Sequence, residues 1–244
     1  MILTIDVGNT RIKSAVFEQY RLIELNVFLK KDFEKILKKI LEKHKNIKKI
    51  IVSSVSNLTK NDFLNIKNTV EIVFIDHKSI FPFENLYATP KTLGIDRMAL
   101  AAGAVLQFPN KNRLVIDAGT CVTYDYINDK NQYLGGAISP GIRLRYESLN
   151  NFTANLPLLT IENPEKTIGN STSQAIHSGV INGLTNEING FMEQFQSENR
   201  NFIIILTGGD ADFLAKRLKN TIFANSNFLL ESLNHIYHYS NQNV

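Results

Sequence analysis

The 244-residue chain has little of what marks secreted and membrane proteins. Its single cysteine, Cys121, cannot form a disulfide within the chain, which predicts a reducing compartment, the cytoplasm. Its apolar runs, such as residues 202–206, are too short to span a bilayer, so we expect no membrane association. The N-terminus leads directly into a strand that contains Asp6, and we therefore expect no signal peptide. A hydrophobic content of 43% favours a globular protein with sizeable cores.

The net charge of +4 is concentrated in one segment. Residues 30–49 carry nine lysines against Asp32, Glu34 and Glu42, which leaves the rest of the chain slightly acidic. Apolar residues recur in this segment at helical spacing and predict an amphipathic helix whose lysines face solvent. A nucleic-acid surface is the alternative interpretation. The segment lacks interleaved aromatic residues and any binding motif, so we expect no nucleic-acid partner.

Two stretches share one pattern, a strand that ends in an aspartate and a glycine turn. Residues 2–6 lead into Asp6-Val7-Gly8-Asn9-Thr10, and residues 114–117 lead into Asp117-Ala118-Gly119-Thr120. A second strand-like stretch follows each turn. Because glycine has no Cβ, the backbone N–H groups of such a turn can face an anion, which predicts a duplicated phosphate hairpin. A carboxylate repels phosphate, so each aspartate implies a metal ion or an ordered water between the two groups.

A third glycine turn strengthens the nucleotide interpretation. A single Asp-x-Gly turn carries little weight, because ordinary β-turns favour the same residues. Residues 207–209 (Thr-Gly-Gly) follow another strand-like run and open a helix-like stretch, which is a second way to cradle a nucleotide. Three glycine turns at strand ends predict a nucleotide held between two related halves. Cys121 lies beside the second hairpin with no histidine nearby in sequence, which favours a small strand residue over a nucleophile.

The predicted order of elements is βββαβαβα, and it occurs twice. The first half has strands at 2–7, 11–18, 21–28, 48–54 and 71–75 and helices at 31–45, about 59–67 and 95–107. The second half has strands at 113–118, 121–127, 132–138, 202–206 and 221–224 and helices at 140–151, 170–195, 209–219 and 226–238. This order predicts an α/β fold of two duplicated domains, residues 1–110 and 111–244, each with a mixed sheet covered by helices. The boundary falls where Pro109 and polar residues break the pattern.

Charged residues also stand at the start of the helix predicted at 95–107, near the end of the first half. Asp96 and Arg97 fall in its first turn, just after Gly94. Aspartate is a common helix starter, so capping explains Asp96 without a function. Arg97 opposes the helix dipole and therefore predicts an acidic partner, either a protein carboxylate or a ligand. Thr172 opens the helix at 170–195, where a cap and a substrate contact are both open.

Taken together, these motifs resemble the type III pantothenate kinases, which belong to the acetate and sugar kinase/Hsp70/actin superfamily. The resemblance covers nearly the whole chain, and its motifs are 6–13, Tyr87 with Pro90, 94–97, 116–120, 135–138, 140–141, 153–157, 169–172 and 207–209. It implies an actin-like ATPase fold with two ribonuclease H-like domains. It also implies that the chain phosphorylates pantothenate to 4′-phosphopantothenate with ATP, the first step of coenzyme A biosynthesis.

The resemblance assigns a role to each matching position. The first ATP phosphate loop would consist of Asp6, Val7, Gly8, Asn9, Thr10, Arg11, Ile12 and Lys13, and Thr120 would add a contact from the second hairpin. Pantothenate would be held by Tyr87, Gly94, Ile95, Asp96, Arg97 and Thr172. Asp96 would be the general base on the primary hydroxyl of pantothenate. Arg97 would meet the pantothenate carboxylate, which accounts for a cation in that first turn.

The resemblance further implies the cofactors and the assembly. Asp117 would bind a monovalent cation, K⁺ or NH₄⁺, in addition to the Mg²⁺ that accompanies ATP. The chain would form a homodimer whose substrate site lies at the subunit interface. Two positions depart from the family pattern: Ser56 stands where proline is frequent, and Ser139 stands where alanine is commoner. Both affect loop shape rather than charged positions.

Two other functions remain open. The first is a kinase of the same superfamily that acts on a sugar or a carboxylate, against which the Tyr-x-x-Pro and Gly-x-Asp-Arg elements argue. The second is an ATP-binding regulator or an actin-like interaction protein without catalysis. Asp96 argues against this second function, because a binding module needs no base at that position.

Overall fold

The computed structural model describes residues 1–8, 11–54, 60–63, 70–218 and 222–242. The chain divides into two compact units, Met1–Pro109 with Asn227–Val244 as the first and Asn110–Ser226 as the second. Within the described residues, no helix combines the length and the apolar character that crossing a membrane requires.

The first unit is built on a mixed sheet. Its strands are β1 (Ile2–Val7), β2 (Ile12–Glu18), β3 (Arg21–Phe28), β4 (Lys49–Ser54) and β5 (Glu71–Phe74), in the spatial order β3-β2-β1-β4-β5. β1 pairs antiparallel with β2 and parallel with β4, so two kinds of pairing meet at the central strand. The same unit contains the helices α1 (Phe33–Lys43) and α2 (Ile95–Gln107) and a two-residue strand, β6 (Glu84–Asn85).

Strand alternation gives this sheet two apolar faces. On one face Leu3 and Ile5 of β1 pack with Leu37 of α1. On the other face Ile2 packs with Ala99 of α2. Because successive side chains of a strand point to opposite faces, Asp6 shares the face of Ile2 and therefore points to the side covered by α2.

The second unit repeats this plan. Its sheet runs in the order β11-β10-β7-β8-β9, with β7 (Asn112–Ala118), β8 (Cys121–Ile127), β9 (Gln132–Pro140), β10 (Phe202–Thr207) and β11 (Phe223–Ala224). Its helices are α3 (Ile142–Asn151), α4 (Thr172–His177), α5 (Gly183–Glu198) and α6 (Ala211–Ala215). A π-helical turn at Ser178–Asn182 joins α4 to α5. One core collects apolar residues of β7, β8 and β10 together with α3, α5 and α6.

The last helix, α7 (Phe228–Gln242), returns to the first unit. Leu233 and Ile236 pack with Ile2 and Ala99, and Leu230 packs with Phe17 of β2. The units therefore differ from the two consecutive halves, 1–110 and 111–244, that the sequence predicts. The first boundary lies close to the expected place, but the apolar side of α7 fills the face of the first sheet beside α2.

Several predicted elements are shorter or begin elsewhere. Pro140 ends β9, and Gly141 rather than Pro140 precedes α3. Of the helix predicted at 209–219, the described residues 209–218 are helical at Ala211–Ala215. The helix predicted at about 59–67 shows a 3₁₀ turn at Lys60–Phe63, and its remaining residues lie outside those that the structure describes.

Candidate active site

Asp6 lies at the carboxyl end of β1, in one row with residues of both neighbouring strands. Its partner on β2 is Lys13, and its partner on β4 is Ser53. Side chains directly opposite each other in a strand pair lie on the same face, about 5 Å apart across an antiparallel pair. Strand register thus places a carboxylate, an ammonium group and a hydroxyl group together on the face covered by α2.

The electrostatics of Asp6 are those of a cation site. Burial raises the pKa of the Asp6 carboxyl to about 7, the charge of Asp96 raises it as well, and Lys13 lowers it. The adjacent Ser53 is buried, and its hydroxyl has no hydrogen-bond partner among the described residues. Two carboxylates beside an unused hydroxyl form an oxygen-rich donor set of the kind that a hard divalent cation prefers.

The turn after β1 is only partly described. Gly8 N donates to Arg11 O at 3.2 Å, and a Cβ added to Gly8 would lie 3.1 Å from that same oxygen. Val7 and Ile12, on either side of this turn, are fully buried core residues. Asn9 and Thr10, predicted to contact phosphate, lie outside the described residues.

The first turn of α2 holds Asp96 against its own backbone. Its Oδ1 accepts a hydrogen bond from Arg97 N at 2.8 Å, and a Cβ on Gly94 would lie 2.4 Å from Oδ1. The absence of a side chain at Gly94 thus makes room for this carboxylate. Gly94 is the N-cap residue and has no side chain to cap the helix, so Asp96 binds a backbone N–H inside the first turn and its charge also acts on Asp6.

Arg97 is a buried cation beside an aromatic ring. It is 7% exposed, and its guanidinium carbon lies 5.8 Å from the centroid of the Tyr87 ring. A guanidinium group over a ring face is attracted by the negative face of the aromatic quadrupole. The structure therefore brings together Tyr87, Gly94, Asp96 and Arg97, four of the predicted pantothenate contacts.

Asp117 occupies the same place in the second unit. Its register partners are Thr123 on β8 and Thr207 on β10, the positions that Lys13 and Ser53 hold around Asp6. The second hairpin closes when Gly119 N donates to Cys121 O at 2.9 Å, and Thr120 is exposed. Both units therefore place an aspartate at the same position of the central strand. In the second unit Thr123 occupies the position that Lys13 holds in the first.

The third glycine turn lies directly against Asp117. Gly208 has a φ of +97°, and a Cβ there would lie 2.4 Å from the Asp117 carboxylate and 2.3 Å from Ala118 O. Asp210 N donates to Ala118 O at 2.9 Å. Only glycine adopts this backbone conformation easily and admits so close an approach. The predicted nucleotide cradle and the second hairpin thus form one cluster at the carboxyl ends of β7 and β10.

Thr172 belongs to a different unit from the other residues predicted to bind pantothenate. It is the exposed first residue of α4 in the second unit, whereas Tyr87 and Gly94–Arg97 belong to the first. Ser171 is the N-cap residue, and its side chain accepts a hydrogen bond from Gln174 N at 3.3 Å. Capping therefore falls to Ser171 and does not require the Thr172 hydroxyl.

Sequence reasoning did not place Ser53 in the site, and it named Thr207 as part of the third glycine turn without placing it beside Asp117. Ser53 and Thr207 enter it because β4 and β10 pair in register with the strands that carry Asp6 and Asp117. Asp210 follows the third glycine turn, and burial raises the pKa of its carboxyl. The available signal was a polar residue at the end of a parallel strand, which indicates the same sheet edge.

The cysteine and the histidines of the described residues form no further catalytic or metal-binding cluster. Cys121 is exposed and unpaired. Among the described residues, no group of three or more histidine, cysteine, aspartate or glutamate side chains could hold a metal ion. Two histidines of α7, His235 and His238, lie against the ring of Tyr20, with ring centroids 4.8 and 4.7 Å away. The chemistry therefore concentrates around Asp6 and Asp117.

Comparison with known proteins gives consistent matches. A family model of type III pantothenate kinases matches residues 2–194. A type III pantothenate kinase from Flavobacterium johnsoniae is 63% identical over 243 residues, which cover 100% of both chains. A Baf family protein from Campylobacter jejuni has a TM-score of 0.65 at 23% identity and covers 99% of this chain and 100% of its own. Glucokinase from an Antarctic psychrotroph has a TM-score of 0.54 at 12% identity, with 98% and 99% covered.

The structural likenesses support the fold and nothing more at these identities. This chain has two mixed sheets, and a strand-turn-strand hairpin lies on the central strand of each. The predicted fold class, an α/β protein with two mixed-sheet units in the ribonuclease H-like, actin-like ATPase fold, is confirmed.

Proposed function

The chain belongs to the type III pantothenate kinase family, and on this premise we propose that it phosphorylates pantothenate to 4′-phosphopantothenate with ATP, in coenzyme A biosynthesis. The observation that carries the proposal is the pairing of two carboxylates, Asp6 at the end of β1 and Asp96 in the first turn of α2. Phosphoryl transfer needs cations on the phosphates and one carboxylate beside the acceptor hydroxyl.

ATP would bind through the backbone of the two hairpins and the third glycine turn. The proposed ATP contacts are Asp6, Val7, Gly8, Asn9, Thr10, Arg11, Ile12, Lys13 and Thr120. Lys13 supplies positive charge beside the row that contains Asp6. Gly208, whose missing side chain lets the third glycine turn pack against Asp117 and Ala118, holds that turn beside the second hairpin.

Asp6 and Ser53 fit Mg²⁺. The raised pKa of Asp6 indicates a carboxylate whose charge lacks sufficient compensation, and the buried Ser53 hydroxyl is an unused ligand beside it. Bound Mg²⁺ neutralises charge on the transferred phosphoryl group. Asp6 would hold the cation, directly or through water, while Lys13 offsets the remaining negative charge of the pocket.

Pantothenate would be held by Tyr87, Gly94, Ile95, Asp96, Arg97 and Thr172. Arg97 would pair with the pantothenate carboxylate, the acidic partner that the sequence leads us to expect. Asp96 would take the proton of the primary hydroxyl of pantothenate while the oxygen of that hydroxyl bonds to the γ-phosphorus of ATP. The bond from that phosphorus to the bridging oxygen breaks, and ADP leaves. The hydrogen bond from Arg97 N to Asp96 Oδ1 would orient the base.

Asp117 would bind a monovalent cation, K⁺ or NH₄⁺. Its row contains the hydroxyl groups of Thr123 and Thr207 in place of an ammonium group. A site with oxygen ligands and no lysine suits a weakly charged cation beside a nucleotide phosphate. We further propose a cytoplasmic homodimer in which Thr172 of one subunit completes the pantothenate site of the other.

The proposal is tested by coupling ADP release to an optical signal in the presence of Mg·ATP. We expect turnover with pantothenate and none above background with glucose, N-acetylmannosamine or acetate as acceptor. Turnover with one of these instead would favour another kinase of the superfamily. ATP binding without turnover on any acceptor would favour a binding regulator.

The cation assignment has its own test. Replacing potassium by sodium at constant ionic strength should abolish most of the turnover, and ammonium should restore it. Asp117→Asn should raise the potassium concentration needed for half-maximal rate, because it removes the charge that holds the cation. Equal rates in sodium and potassium would reject this role of Asp117.

A further inference from the structure

A charged cluster in the second unit joins α3, α5 and the end of β9. The Arg145 guanidinium group donates to Pro140 O at 2.8 Å through Nε and to Ser139 Oγ at 2.7 Å through Nη2. The same Nη2 lies 2.5 Å from Glu187 Oε2. Tyr124 OH donates to Glu187 Oε1 at 2.8 Å. Arg145 is thus held from one side by α5 and holds the last two residues of β9 on the other.

The segment held by Arg145 lies directly against the second hairpin. Gly141 N donates to Thr120 O at 3.0 Å. A Cβ on Gly141 would lie 2.1 Å from Gly119 O and 2.6 Å from Thr120 O. The backbone of Gly141 therefore contacts that of Gly119 and Thr120, and any shift of this junction moves the hairpin.

The polar side chains of this cluster are hydrogen-bonded to one another and are largely buried. Tyr124 is fully buried, and the side chains of Arg145 and Glu187 are 21% and 25% exposed. Burial opposes ionisation of Glu187, yet hydrogen bonds from Ser139, Arg145 and Tyr124 lower the pKa of its carboxyl below the ordinary value. A charged, partly buried pair with this many partners is costly to disrupt from one side.

We propose that Arg145, held by Glu187, is a positioning residue that sets the place of Gly119 and Thr120 for the nucleotide phosphates. It acts through the Ser139-Pro140-Gly141 junction and touches no reactant. This inference rests on the proposed function only in assigning the hairpin to ATP. Ser139, which departs from the family pattern, accepts one of the hydrogen bonds that Arg145 donates.

Helix α3 itself offers a matched control. Arg143 lies two residues earlier and pairs with Glu147, Nε to Oε1 at 2.6 Å. Its side chain is 74% exposed. Arg143→Gln thus removes an arginine and an ion pair from the same helix without touching the junction, and exposed pairs of this kind contribute little.

The experiment compares Arg145→Gln, Arg145→Lys and Arg143→Gln in the full chain. We expect Arg145→Gln to raise the KM for ATP about tenfold while the KM for pantothenate stays within about twofold. Arg145→Lys should restore part of the loss, because an ammonium group keeps one bond to Glu187 or Pro140 O. Arg143→Gln should match the wild type. Glu187→Gln, whose amide keeps one acceptor oxygen but loses the second acceptor and the charge that hold Arg145, replaces Arg145→Gln if that variant does not fold.

Three results would overturn the inference: an unchanged KM for ATP in Arg145→Gln, an equal effect of Arg143→Gln, or an equal rise of both Michaelis constants. A direct measurement of the Kd for ATP by calorimetry separates the two proposals. If the wild type binds ATP but does not phosphorylate pantothenate, the proposed function fails. The role of Arg145 is then still decided by the Kd of its variants.

Discussion

Asp6 and Asp96 are two carboxylates whose like charges repel, so the charge of Asp96 has a measurable effect on the pKa of Asp6. The pKa of Asp6 is raised to about 7 by burial and by the charge of Asp96. Replacing Asp96 by asparagine removes the second cause. We expect the pKa of Asp6 in Asp96→Asn to fall, as measured from the pH dependence of Mg·ATP binding, since a protonated Asp6 holds the cation poorly. An unchanged pH dependence would mean that the two groups do not interact.

The same pKa sets the sign of a stability effect. Between the ordinary value of 3.8 and about 7, native Asp6 retains a proton that the unfolded chain has released. Stability therefore falls as pH rises through that window. Asp6→Asn should unfold at a higher temperature than the wild type at pH 8, by a few degrees. The difference should shrink towards pH 4. A variant less stable at pH 8 would show that the ionised carboxylate makes favourable contacts in the free protein.

Turnover distinguishes the base from the cation ligand. Asp96→Asn keeps shape and hydrogen bonding, so ATP and pantothenate should still bind while kcat falls roughly 10²–10⁴-fold, the usual contribution of a positioned base. Asp117→Asn should lose activity mainly through weaker cation and ATP binding, so high potassium and ATP should restore part of it. If Asp96→Asn keeps near-normal kcat and Asp117→Asn has none under saturating ligands, Asp117 is the better candidate for the base.

At the scale of elements, α1 carries a lysine-rich surface that we do not assign to the active site. Phe33, Leu37 and Ile40 are buried, whereas Lys35, Lys38 and Lys39 face solvent, as the helical spacing predicts. Replacing these three lysines by glutamine should leave kcat and both Michaelis constants within about twofold, because exposed charges act weakly at physiological salt. Lys13→Gln is the contrasting variant and should raise the KM for ATP. A large change in the triple variant would show that α1 contributes to nucleotide binding.

How much of the site follows from the sequence depends on the range of the interaction. The hairpins are predictable, because an aspartate at a strand end and a glycine turn are local features. The residues that lie beside each aspartate on the neighbouring strands are not predictable in this way. Ser53 lies beside Asp6 because of the register of β1 and β4, which are joined by a long connection. The sequence also predicts α7 as a helix with an apolar side. It does not reveal that this side packs on β1 and α2, since many apolar faces would suit it.

At the scale of the whole molecule, the residues proposed to bind pantothenate belong to different units. Tyr87 and Gly94–Arg97 lie in the first, and Thr172 lies in the second, exposed and not needed as a helix cap. In the proposed homodimer, one subunit supplies Asp96 and its partner supplies Thr172. Each site of the dimer would then depend on both chains.

Mixing two inactive variants tests this arrangement. Asp96→Asn lacks the base, and Thr172→Arg places a bulky cation where pantothenate would lie, so each homodimer should have little activity. After the two are unfolded and refolded together, half of the dimers should be mixed, and each mixed dimer has one site with neither defect. We expect recovery of about one quarter of wild-type activity, as counted from closed two-fold dimers. Because one site per mixed dimer carries both substitutions, activity should not exceed this level. No recovery, with mixed dimers demonstrated by mass spectrometry, would place Asp96 and Thr172 of one site in the same chain.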